Sequence, residues 1–167
     1  EMLTIFRNGW VFICHESEIS GPGDFVRRNV GRDPVFAIRA RDGEISVIEN
    51  RCAHRGNIIC QEDSGSAKAL VCQYHGWAYD TKGALIDVPY PAGFQGDFSC
   101  HGLERLPKVD SYRGFVFASF NADVPSLLDH LGRSTVLIDR AVEMSPEGCI
   151  TLSGGWISHR FNCNWKM

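Results

Sequence analysis

Two short stretches constrain this chain more than anything else in it. "NRCAHRGNII", residues 50–59, sets Cys52 and His54 one residue apart, and "CQYHGW", residues 72–77, sets Cys72 and His75 two residues apart. Together they read C-x-H-x17-C-x2-H. Cysteine thiolate and histidine imidazole are the usual ligands of zinc and of iron–sulfur iron. Glycine closes each stretch: Gly56 follows Arg55, and Gly76 follows His75. Glycine lets a loop turn back sharply and brings backbone N–H groups close to a bound group. The pattern predicts two ligand loops on hairpin ends, clamping one site from both sides.

The surrounding sequence predicts short strands divided by turns. "FVRRNV" (25–30) follows the turn Gly21-Pro22-Gly23-Asp24. "PVFAIRA" (34–40) and "ISVIE" (45–49) flank Arg41-Asp42-Gly43-Glu44, and Asp-Gly between β-rich runs marks a hairpin. "ALVC" (69–72) runs into the second pair, "WAYD" and "ALIDV" flank Thr81-Lys82-Gly83, and "GFVFASF" (114–120) follows Arg113. About seven such strands suggest an antiparallel sandwich or small barrel. A composition shift then sets a boundary near residues 121–125. Leu127, Leu128 and Leu131 predict a short helix with Pro125 in its first turn. Leu137, Ile138, Ala141 and Val142 predict a second helix, capped by Ser134 and ended by Ser145-Pro146. Residues 149–165 alternate as a further strand.

Composition narrows the role. The chain has 167 residues, 44% hydrophobic and 22% charged, as a soluble globular protein requires. A formal net charge of -3 gives no electrostatic reason to seek nucleic acid or an anionic membrane. No apolar run approaches the ~20 residues that cross a bilayer. The opening "EMLTIFRNGW" lacks a signal peptide's apolar core, so a cytoplasmic location is expected. Of seven cysteines, Cys14, Cys60, Cys100, Cys149 and Cys163 lie outside the two pairs, an odd and irregular remainder. They are expected to be small buried residues kept reduced.

Three readings of the four ligand-type residues compete. Ordinary core cysteines and histidines would rarely coincide in two glycine-closed loops. A structural zinc site would normally pair cysteine with cysteine and histidine with histidine. A Rieske [2Fe-2S] cluster has two cysteines on one iron and two histidines on the other. One cysteine and one histidine from each loop match that division directly.

"CAHRG" and "CQYHGW" resemble the cluster loops of the Rieske domain in aromatic-ring-hydroxylating oxygenases. "GWVFICHESEISGPGDFV", "ARDGEISVIENRCAHRG", "YHGWAYDTKGALIDVP" and "YRGFVFASF" resemble segments of the same domain in the large (alpha) subunit. The resemblance implies that Cys52 and Cys72 ligate one iron, and His54 and His75 the other. Arg55, Gly56, Tyr74, Gly76 and Trp77 would surround the cluster, shielding it, shaping a docking surface or packing the loops. For Trp77 the packing role is expected. The implied fold is mainly β: a Rieske-type antiparallel β sandwich with two cluster-binding hairpin loops over residues 1–121. Linker helices and the truncated start of an α+β catalytic domain would follow over residues 122–167.

The resemblance also implies a mononuclear non-haem iron held by two histidines and a carboxylate in the catalytic domain. His15, His101, His130 and His159 offer no close pair for it, so the chain is expected to be an N-terminal fragment that does not hydroxylate alone. His15 is expected at the surface. A reductase, and possibly a ferredoxin, would pass electrons from NADH. The full-length protein would use O2 on an aromatic substrate, in an oligomer that could include a beta subunit. The alternative is a stand-alone Rieske ferredoxin. Respiratory Rieske proteins carry a loop disulfide, for which Asn57 and Tyr74 stand here, and a serine donor to cluster sulfur where Trp77 stands. Loss of that donor leaves the reduced cluster's charge less stabilised. Rieske potentials span roughly −150 to +300 mV, and this one is predicted in the lower half. A redox titration with a midpoint well above about +100 mV would overturn that expectation.

Overall fold

The computed structural model describes residues 2–93, 98, 100–152, 159 and 161–163. In chain order the strands are β1 (Val11–His15), β2 (Asp24–Val30), β3 (Asp33–Arg39), β4 (Ile45–Glu49), β5 (Ser64–Ser66), β6 (Leu70–Val71), β7 (Ala78–Tyr79), β8 (Leu85–Asp87), β9 (Lys108–Tyr112) and β10 (Phe115–Ser119). They form three antiparallel sheets, ordered β4-β3-β2-β5, β1-β10-β9 and β6-β7-β8. The sandwich expectation holds, with three sheets rather than two and with β1, β5 and β9 added to the strands read from sequence.

The first sheet is covered on both faces, and the period of 2 along a strand shows how. On β3, Phe36 and Ile38 enter one core with Phe25 of β2 and Ile48 of β4. Val35 and Ala37 between them enter the other core with Val26 and Val47. The second core is completed by Ile13, Val116 and Ala118 of the β1-β10-β9 sheet. The first is completed by Leu70, Cys72, Trp77 and Tyr79 around the β6-β7-β8 sheet, together with Cys52, Ile59 and Cys60. Cys52 and Cys72 of the two metal-ligand loops thus pack against a sheet whose central strands are apolar on both sides. Each large buried side chain there contributes about 1.5–3 kcal/mol.

The unread strands have physical reasons. β5 is Ser64-Gly65-Ser66, fully exposed and without an apolar signal. It is held by pairing with β2, and a side chain at Gly65 would strike the Phe25 ring at 3.0 Å. β1 is a continuous apolar run with no alternation. His15, expected at the surface, is buried at 5% exposure: Ser17 N–H donates to its Nδ1, and Gly114 packs against its ring. Of the five other cysteines, Cys14 and Cys60 are buried as expected. Burial pushes both thiols up to about 12, which keeps them protonated and unreactive. Cys100, Cys149 and Cys163 are exposed instead.

Two helices follow β10. α1 (Leu127–Leu131) is capped by Ser126, whose Oγ accepts from Asp129 N–H at 3.1 Å. Pro125 precedes the cap rather than entering the first turn, and its carbonyl accepts from Trp10 Nε1 at 2.9 Å. α2 (Thr135–Glu143) starts without a side-chain cap from Ser134, because the 3₁₀ turn Gly132–Ser134 runs straight into it. Val142 faces inward, while Leu137 is 67% exposed. Residues 149–152 form no strand, and most of the strand expected beyond them lies outside the described residues.

α2 is clamped to the β9–β10 hairpin. Arg113 and Gly114 form its two-residue turn, both with positive φ (52° and 85°), as a type I′ turn requires. There Tyr112 Oη donates to the Asp139 carboxylate at 3.0 Å, and Arg113 Nε donates to it at 2.8 Å. Arg113 leads in holding the Asp139 carboxyl below its ordinary value. A depressed carboxylate pKa stabilises fully above the ordinary range and is lost as pH falls through the lowered value. Hydrogen-exchange protection of α2, corrected for the intrinsic rate at each pH, should therefore fall on acidification and in Asp139→Asn at neutral pH. Unchanged α2 protection in that variant would overturn the clamp.

Candidate metal centre

Loop 1 leaves β4 and loop 2 joins β6 to β7, and both fold the same way. Gly56 N–H donates to Cys52 O at 2.7 Å, and Gly76 N–H donates to Cys72 O at 2.9 Å. Cys52 N–H donates to Asn57 O at 2.8 Å, and Cys72 N–H donates to Trp77 O at 2.9 Å. In each loop the glycine lies four residues after the cysteine with a left-handed φ, +69° at Gly56 and +74° at Gly76. A side chain at Gly76 would also meet Pro89 Cγ at 2.9 Å. The histidines alone differ in place, two residues after Cys52 and three after Cys72.

The loops bring all four predicted ligands together and sort them by kind. Cys52 and Cys72 are buried at 4% and 1% exposure, and both belong to the same apolar core. The rings of His54 and His75 meet at 4.6 Å, tilted by 71°, nearer the surface. His54 is half-buried and His75 is exposed. Burial works against ionisation of Cys72. Backbone N–H groups of Tyr74 and His75, with Cys52 and Asn57, outweigh it and hold the thiol below its ordinary value. Loss of water, then the charges of His75 and Arg55, lower the His54 pKa. A thiol inclined to ionise and a neutral imidazole are the forms that ligate metal.

The neighbours divide into those expected and those missed. Arg55 and Tyr74 are exposed, the guanidinium 5.7 Å from the ring centre. Trp77 is 3% exposed and packs in the core beneath the loops. Asn57, placed above where a disulfide cysteine would stand, directs Nδ2 across to Cys72 Sγ at 3.7 Å. Tyr79 lies in β7, where the sequence predicts a strand and nothing more. Its hydroxyl lies 3.1 Å from Cys52 Sγ and accepts from Ala53 N–H at 3.2 Å. Burial and the Cys52 contact push its pKa up, so it stays an O–H donor. The signal for it was a tyrosine two residues after Trp77, hence inward on the same face of a strand, where a buried hydroxyl needs a partner. These donors act against the low potential argued from Trp77 alone.

Asn50, also missed, closes loop 1. It is 0% exposed. Its Oδ1 accepts from Ile59 N–H at 3.0 Å and Cys60 N–H at 2.9 Å, and its Nδ2 donates to Cys60 O at 2.8 Å. One amide thereby joins the two feet of the loop.

The donor set fits a two-iron cluster, with a buried cysteine pair for one metal and an outer histidine pair for the other. A single zinc ion would need four donors at roughly 2.0–2.3 Å from one point. Among the described residues no three Cys, His, Asp or Glu side chains are so arranged around one ion.

Comparison with known proteins agrees. The family described as the Rieske [2Fe-2S] domain matches residues 9–112. Over 173 residues the chain is 38% identical to the 2-halobenzoate 1,2-dioxygenase large subunit of Burkholderia cepacia, covering 100% of this chain and 37% of that protein. It is 38% identical to the toluate 1,2-dioxygenase subunit alpha of Pseudomonas putida, with 100% and 38% covered. The solved naphthalene 1,2-dioxygenase from Rhodococcus sp., bound to indole, superimposes with TM-score 0.81 at 36% identity, over 88% of this chain and 34% of that one. The chain thus spans little more than a third of these relatives' length.

Asn50→Ala would leave two buried N–H groups and one carbonyl without partners. It should lower stability by about 3 kcal/mol in urea unfolding. A wild-type unfolding curve would show that loop 1 closes without this amide.

Proposed function

The chain belongs to the Rieske [2Fe-2S] domain family, and we propose that Cys52 and Cys72 hold one iron of its cluster while His54 and His75 hold the other. The sorting of the four donors, cysteines inside and histidines outside, carries this reading. When bound, the cluster supplies one-electron chemistry, accepting and releasing single electrons. The protein's own groups set the conditions. Cys52 and Cys72 offer thiolates in an apolar core. Tyr79 Oη and Asn57 Nδ2 place hydrogen-bond donors against the two sulfurs, favouring added negative charge. His75 presents an imidazole to solvent and to a partner, whereas His54 lies behind it. Arg55 and Tyr74 rim that opening.

The larger role follows from the relatives. The chain is proposed to be the electron-transfer portion of a ring-hydroxylating oxygenase alpha subunit. Electrons from NADH would arrive through a reductase, with or without a ferredoxin. They would leave for a mononuclear iron outside these residues, where O2 is used to hydroxylate an aromatic compound. The 1–121 unit would then be the electron carrier, and residues 122–167 the approach to a catalytic domain. Oligomerisation, with or without a beta subunit, belongs to the same proposal. The match to alpha subunits along the whole chain, and not only over residues 9–112, favours this reading over a stand-alone ferredoxin. Among the described residues no helix is long and apolar enough to cross a membrane.

The purified chain should be reddish-brown, with iron and acid-labile sulfide in equal amounts. Cys72→Ser and His75→Ala should each lose most of both, measured by iron and sulfide assay. A colourless chain carrying zinc and no sulfide would overturn the assignment.

A further inference from the structure

We propose that Trp77 is the positioning residue of His54: its indole fixes the plane of that imidazole and keeps water from one face, while His75 stays open. The inference rests on the ligand assignment above.

The two histidines have different surroundings. The indole of Trp77 lies parallel to the His54 ring, 9° between planes and 4.9 Å between centres. It is held in turn by Phe98 and His101, whose rings meet it edge-on, each at 6.1 Å. Its backbone is fixed by the Cys72 N–H bond to Trp77 O that closes loop 2. A side chain rooted in loop 2 therefore grips a ligand of loop 1. His75 touches Tyr74 at 3.8 Å, but Tyr74 is itself 57% exposed and encloses nothing.

Physical chemistry gives the stack a consequence beyond space-filling. The final torsion of histidine is soft, so its ring plane has to be set from outside. A parallel aromatic face sets it, whereas an aliphatic side chain of similar bulk does so less well. The face of an indole is electron-rich and favours an electron-poor partner. A ligand ring is more electron-poor when the bound iron is oxidised. Excluding water acts in the same direction, since water stabilises the charge added on reduction. Both effects hold the potential down.

The test compares wild type, Trp77→Phe and Trp77→Leu, each checked for iron and acid-labile sulfide. Pulsed electron paramagnetic resonance of the reduced chain reads the two histidine nitrogen couplings. A redox titration reads the reduced-to-oxidised ratio at fixed ambient potential. In Trp77→Leu one coupling should change and the other stay, and the ratio should rise about threefold, which is ~28 mV for a one-electron couple. Trp77→Phe should restore most of both. If the leucine variant loses iron, the phenylalanine variant should still show a smaller change confined to one coupling. Unchanged couplings and ratio in an iron-loaded leucine variant, or in the phenylalanine variant where leucine loses iron, would overturn the role of Trp77 alone. A wild-type chain without iron and sulfide would overturn the ligand assignment, and this inference with it.

Discussion

The site depends on one repeated hydrogen bond, from the glycine N–H of each loop to the carbonyl of the cysteine four residues before it. That bond bends the loop back on itself, and only a left-handed residue can complete the bend at low strain. With the chain turned back, a cysteine at the loop's foot points into the core. The histidine near the crown points outward. Two copies of this bend, set against each other, produce the inner sulfur pair and the outer imidazole pair without further design. The central sheet supplies the footing. It is buried on both faces and carries loop 1 on β4, so that loop rests on strands that cannot shift register without exposing one core or the other, while loop 2 rises from the β6-β7-β8 sheet packed on the same core.

Much of this could be read in the chain itself. The ligands were visible because chemistry restricts their identity: cysteine and histidine at fixed offsets have few other uses. The hairpins at Asp42-Gly43 and Lys82-Gly83 were visible because turns restrict backbone conformation. What escaped notice was residues whose role depends on who lies opposite. Asn50 looks like any polar residue after a strand until Ile59 and Cys60 return beside it. Tyr79 looks like a strand aromatic until Cys52 arrives from 27 positions away. β5 has no signal of its own and exists because β2 has an edge to pair. Ser134 failed as a cap for a related reason: the preceding turn left no gap for a cap to fill.

The contacts around the sulfurs also revise a simple substitution argument. Reading Trp77 as an absent serine donor predicts a less stabilised reduced state. Yet Tyr79 and Asn57 bring donors to Cys52 and Cys72 from other directions. Trp77 contributes an aromatic face to His54 in place of a hydroxyl. The electrostatics of such a pocket is a sum over neighbours drawn from both loops and a strand. No single position decides it.

The helices beyond β10 lead to a different conclusion. α1 buries Leu127, α2 buries Val142. Pro125 is tied to Trp10, and Asp139 to Tyr112 and Arg113. Such attachment makes the junction a strut and not a tether. An electron-carrying head on a flexible tether could swing between donor and acceptor, trading distance for time. With Pro125, Leu127, Asp139 and Val142 all anchored to the strands, the proposed electron carrier would not swing on α1 and α2.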